Sequence, residues 1–79
     1  MSESKACNDV LRELARARKK FPAGMHSAHE GFAVLKEEVD ELWAEVRGPD
    51  DSGRAKRMRE EAVQVAAMAL RFLEDVCDK

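Results

Sequence analysis

The 79 residues contain only two cysteines, Cys7 and Cys77, near opposite ends, with no CxxC and no histidine at ligand spacing. That excludes a zinc site and a thioredoxin-like motif. The two read as free thiols of a reducing compartment; a disulfide would require helix packing to bring the ends of the chain together. No apolar run reaches the length of a membrane span, and Met1 to Asn8 lacks the basic-then-apolar layout of a signal peptide. The expectation is a cytoplasmic protein with no membrane partner. No alternating strand pattern occurs, so a sheet is not expected. Internal repeats and low-complexity tracts are missing too. With a net charge of −2 and basic residues that do not align on one helix, nucleic acid is not an expected partner. Ser27, next to His26, reads as a helix cap and no cysteine stands beside His26 or His29, so a catalytic triad is unsupported.

What is present is charge of both signs, 38% of residues, mixed along the chain as on an ordinary soluble surface. Residues 1–79 make one domain, and a chain this short has a thin core. With no disulfide or metal framework to compensate, a homo-oligomer, dimer or tetramer, is the expected way to cover apolar surface.

Gly and Pro gather at two breaks and divide the chain into three helices. The first is predicted from about Ser4 to Lys20, with Val10, Leu11, Leu14 and Ala17 at helical spacing and a basic last turn that matches the helix dipole. Phe21-Pro22-Ala23-Gly24 ends it. The second starts at Ser27, where Ser27-Ala28-His29-Glu30 reads as a capping box, and stops at Gly48-Pro49. Its stripe Ala28, Phe32, Leu35, Val39, Leu42, Val46 has the spacing of a bundle seam. After the polar turn Asp50 to Gly53, with Asp51 or Ser52 as cap, the third runs to about Val76. Its stripe is Met58, Ala62, Val65, Ala69, Phe72, Leu73 and Val76, and alanines 62, 66, 67 and 69 raise its helix propensity. The predicted fold is all-α: a three-helix protomer whose helices 2 and 3 form a four-helix bundle with another subunit.

Two acidic clusters carry the chemistry, Glu37-Glu38-Val39-Asp40-Glu41 and Glu60-Glu61-Ala62-Val63-Gln64. Residues three apart on a helix project to the same side, so Glu38 pairs with Glu41 and Glu61 with Gln64. At ~100° per residue, Glu38 falls about 80° and Glu41 about 140° from the centre of the second helix's stripe. Glu61 and Gln64 fall at about the same two offsets from the third helix's stripe. The two acidic stripes thus lie beside the apolar seams, where helix pairing could unite them. Glu37 and Asp40 point away from the seam and read as solvated surface. Clustered carboxylates repel unless they share a cation, and oxygen ligands suit magnesium, which is commonly shared with phosphates.

This order of parts, EExxE, a spacer and then ExxD, resembles the MazG-like all-α nucleotide pyrophosphohydrolases. The resemblance spans roughly His26 to Asp75 and takes in Glu38 to Glu45 and the alanine-rich Glu61 to Phe72. It departs from that pattern at Gln64, where the family has aspartate. The resemblance implies an enzyme that hydrolyses a nucleoside triphosphate between its α and β phosphates, releasing monophosphate and pyrophosphate. Glu38, Glu41 and Glu61 would hold Mg2+ and act catalytically, with one carboxylate orienting or deprotonating water, and Gln64 would complete the metal shell. Gln64 has a second reading, as a hydrogen-bond partner of a neighbouring glutamate. Glu45, one turn beyond Glu41, could serve as an outer or replacement ligand. The alternative to an enzyme is a non-catalytic helical module that binds a nucleotide or a protein while keeping the bundle.

Three further residues are candidate substrate contacts: His29, Arg57 and Trp43. His29, with His26, stands at the start of the second helix and could equally be a capping-turn or surface residue. Arg57 belongs to a group with Arg54, Lys56 and Arg59 at the start of the third helix, where the dipole disfavours cations. A polyphosphate nearby would explain them, as would ion pairs to Asp50, Asp51 and Glu60. Trp43, like Phe32, could stack a nucleobase or pack in a core or subunit interface.

Overall fold

A computed structural model describes residues 4–79 and contains three α-helices and no strand among them. Helix α1 spans Lys5–Lys20, α2 Ala28–Val46 and α3 Arg54–Phe72, and α3 continues into a π-helical turn, Leu73–Cys77. None of these helices is long and apolar enough to cross a membrane.

The helix starts follow from local side-chain chemistry. Ser4 accepts from the Cys7 amide at 3.1 Å, and Ser27 accepts from the Glu30 amide at 3.1 Å, so each hydroxyl satisfies one of the orphan donors of a first turn. At α3 the expected cap is displaced. Gly53 is the N-cap and offers no side chain, while Asp51 accepts from the Gly53 amide at 3.0 Å and closes the turn just ahead of the helix.

Helix α3 is the central element and packs against both α2 and α1. The core is small: Leu14, Ala17, Met25, Ala67 and Met68 are buried, and Val10, Val34, Leu35, Leu70, Phe72 and Val76 pack around them. Gly31 permits close packing of α2 on α3, because a Cβ there would lie 2.7 Å from the Phe72 ring and 3.0 Å from the Met25 sulfur. The α2 face turned inward carries Val34, Leu35, Glu38, Leu42 and Glu45, all half-buried. Phe32, Val39 and Val46 from the predicted seam instead remain exposed, and with Trp43 they form an apolar stripe open to solvent.

The π turn departs from the continuous helix expected to Val76. Its signature is the bond from the Asp78 amide to the Leu73 carbonyl, five residues back, at 2.8 Å. Within it Asp75 accepts from the Met25 amide at 3.0 Å and from Arg18 at 3.1 Å, so the last turn of α3 is tied to the α1–α2 linker.

Candidate functional site

Glu38 from α2 and Glu61 from α3 are half-buried, Glu41 is exposed, and one carboxylate oxygen from each lies within 4.8 Å of the other two. Helix geometry explains the grouping. Glu38 and Glu41 are one turn apart on α2, and the close α2–α3 packing sets Glu61 opposite them. Burial pushes the Glu38 carboxyl up to about 7, helped by the charges of Glu41 and Glu61. Burial, with Glu41 next, raises Glu61 as well. The three oxygens therefore repel one another in a partly desolvated setting, and a shared cation would relieve both effects. Three carboxylate oxygens at this spacing suit a hard divalent ion that keeps its remaining positions for water or phosphate.

Gln64 stands one turn beyond Glu61 and lines a cleft together with Glu38. That cleft, of about 410 Å3, runs away from the carboxylates between α1, the linker and the α2–α3 pair. Ala17, Met25, Val34 and Met68 form its apolar lining, and Phe21, 59% exposed, stands at its rim. The linker wall is fastened from behind. Arg71, 5% exposed, donates to the carbonyl oxygens of Phe21 and Ala23 at 2.6 and 2.7 Å and to Asp75 at 3.3 Å.

The other predicted contacts are not gathered here. Arg57 donates from Nε to Glu45 at 2.9 Å and from Nη2 to Asp51 at 3.0 Å, so it is held in ion pairs and Glu45 is occupied by one of them. Arg54 donates to the Glu45 and Val46 carbonyls at the end of α2. Lys56 lies 3.9 Å from Glu60, and Arg59 reaches Asp9 on α1 at 2.8 Å. The basic start of α3 is thus largely taken up by ion pairs. His29 is exposed in the first turn of α2, and Trp43 is 58% exposed on the outer stripe; neither lines the cleft. Cys7 and Cys77 are free and exposed.

The sequence reading missed Phe21, which it treated as a helix stop, and the Arg71–Asp75 pair. One signal was available for the second. Arg71 follows the buried Ala67 by four and Met68 by three, so it falls on the inward face of α3, and Asp75 follows it by four. No protein-family model, curated protein or solved structure matches the chain.

Proposed function

We propose that the chain is a magnesium-dependent nucleoside triphosphate pyrophosphohydrolase of MazG-like type, releasing a monophosphate and pyrophosphate. One observation carries the reading: Glu38, Glu41 and Glu61, the positions that the motif resemblance singles out, converge from two helices to within 4.8 Å. Glu38, Glu41 and Glu61 would hold Mg2+, with the Gln64 amide oxygen as a fourth donor beside them. Held there, a divalent ion would supply charge neutralisation for the phosphates and the departing pyrophosphate. One of these carboxylates would orient or deprotonate the attacking water.

The second copy belongs to the same reading. Phe32, Val39, Trp43 and Val46 form an exposed stripe along α2 whose apolar area water would otherwise cover. Pairing α2 and α3 with those of another subunit buries it in a four-helix bundle. Trp43 then serves the subunit interface.

Gln64 favours the second reading, a module that binds nucleotide without turnover, because an amide brings no charge to the site. Pyrophosphate release from a panel of common and modified nucleoside triphosphates separates the two. An enzyme releases it with magnesium and stops when a chelator is added; no release from any triphosphate would leave the binding module.

A further inference from the structure

The cleft beside the carboxylates is larger than a metal site requires, and its lining has a chemistry of its own. Its volume of about 410 Å3 lies within the usual range of small-molecule pockets. Ala17, Met25, Val34 and Met68 line it with apolar atoms, and the Phe21 ring stands at the rim with Lys20 Nζ 5.3 Å from its centroid. The cleft is also preformed, since its linker wall is hung on a buried guanidinium rather than left as a free loop. A rigid wall lowers the ordering penalty of binding.

The polar groups around the cleft are biased toward accepting. Arg16 lines it but directs Nε and Nη2 to Glu13, with Nε 2.9 Å from the carboxylate, and Arg71 directs Nε to Asp75 and Nη2 to the Phe21 and Ala23 carbonyls. Glu30 and Glu37 are exposed carboxylates on the same lining, and ionised carboxylates only accept. A flat ring with donors on its edge matches this combination. Since Glu38 and Gln64 stand where the cleft meets the carboxylate group, a ligand whose phosphates lie at the carboxylates would extend its other end into the cleft.

We infer that this cleft takes the nucleobase of the bound nucleotide, stacked on Phe21, and selects a base that carries an exocyclic amino group. The inference rests on the nucleotide reading above and adds where the base lies and what selects it. Glu37, set aside as solvated surface by periodicity, acquires a contact role, and the linker becomes a wall of the site.

The test is a methyl NMR titration of the full chain in the presence of magnesium, labelled at alanine, valine and methionine, with nucleoside monophosphates, which have no pyrophosphate to release. Adenosine and cytidine monophosphate should shift the methyl signals of Ala17, Met25, Val34 and Met68, leaving Val46 on the outer stripe unmoved. Ribose phosphate, which lacks a base, should not shift them, and uridine monophosphate should bind roughly tenfold more weakly than adenosine monophosphate, the scale of one poorly matched base edge. Phe21→Ala should weaken adenosine monophosphate about tenfold, as loss of one base stack does, whereas Phe21→Trp should preserve binding. Shifts confined to residues outside the cleft, no shift with any nucleotide, equal binding of uridine monophosphate, or an unaffected Phe21→Ala protein would each overturn the inference. Pyrophosphate release accompanied by shifts elsewhere would sink the base pocket and spare the hydrolase reading; cleft shifts without pyrophosphate release would do the reverse.

Discussion

Arg71 and Asp75, four residues apart on α3 and its π turn, are both nearly buried and meet at 3.3 Å, and together they bind the α1–α2 linker at Phe21, Ala23 and Met25. The guanidinium satisfies two linker carbonyls while the carboxylate accepts the Met25 amide, so removing either partner strands backbone groups as well as a charge.

Arg71→Ala should therefore destabilise the fold by about 3 kcal/mol, the scale of breaking a buried pair from one side. Arg71→Lys should recover little, because one ammonium cannot reproduce the fork that spans two carbonyls and a carboxylate. Arg18→Ala, at a more exposed pair, should cost well under half as much. Urea unfolding monitored by circular dichroism measures all three, and equal losses for Arg18 and Arg71 would contradict the linker clamp.

Acid should release the same clamp. The Met25 amide first, then Arg18 and Arg71, hold the Asp75 carboxyl below its ordinary value against the opposing effect of burial. A pKa lowered by folding gives stability that is present above the unfolded value of about 3.9 and is lost as pH falls through the folded one. Asp75→Asn should flatten the acid limb of the stability profile. A limb of unchanged steepness would show that other carboxylates govern it.

Glu38 has the opposite sign. Its carboxyl lies near 7 in the fold against an ordinary 4.5, so the folded chain holds a proton that the unfolded chain has released. Without metal, stability should fall as pH rises from about 4.5 to 7, and this decline should disappear in Glu38→Gln. Magnesium binding near pH 6.5 should expel a proton, visible as a buffer-dependent heat in calorimetry. Glu38→Gln and Glu61→Gln should each abolish magnesium-dependent hydrolysis with helix content intact. Glu37→Gln should leave metal affinity untouched, and an equal loss of it there would place the ligand face wrongly.

Gln64→Asp adds a carboxylate one turn from Glu61. At a ligand position it should tighten magnesium about tenfold and raise turnover or create it. Equal magnesium affinity of the two proteins by calorimetric titration, with activity unchanged, would remove Gln64 from the metal shell.

The outer stripe of α2 gives a prediction independent of chemistry. At micromolar concentration the chain should sediment as a dimer or tetramer, and Trp43→Asp or Val39→Asp should shift it toward the protomer mass, because a charge would have to be desolvated at the bundle seam. A wild-type protein at protomer mass would refute the shared bundle.

Sequence reasoning located the helices well because their ends are written in side chains that act locally: Ser4, Ser27 and the breaks at Pro22 and Pro49. It also identified Glu38, Glu41 and Glu61 as neighbours, since the three-residue spacing and the α2–α3 pairing leave few other arrangements. It was less able to orient α2. That helix has apolar residues on two flanks, Val34, Leu35 and Leu42 on one and Phe32, Val39, Trp43 and Val46 on the other, and periodicity alone cannot say which faces the protomer's own core. The linker clamp was illegible for a different reason. Arg71 is separated from Phe21 by 50 residues, and its partners are backbone carbonyls, which every residue offers alike.

The π turn makes the carboxyl end of α3 sensitive to chain length in a way that the rest of the helix is not. Its bond from Asp78 to Leu73 accommodates one residue more per turn than an α-helical bond would. Deleting Glu74 would bring Asp75 from four to three residues after Arg71, off the position from which its carboxylate meets Arg71, Arg18 and the Met25 amide. An exposed loop absorbs such an indel, whereas here one codon lost would unhook the linker, so the spacing from Arg71 to Asp75 is a frame on which the cleft's wall depends.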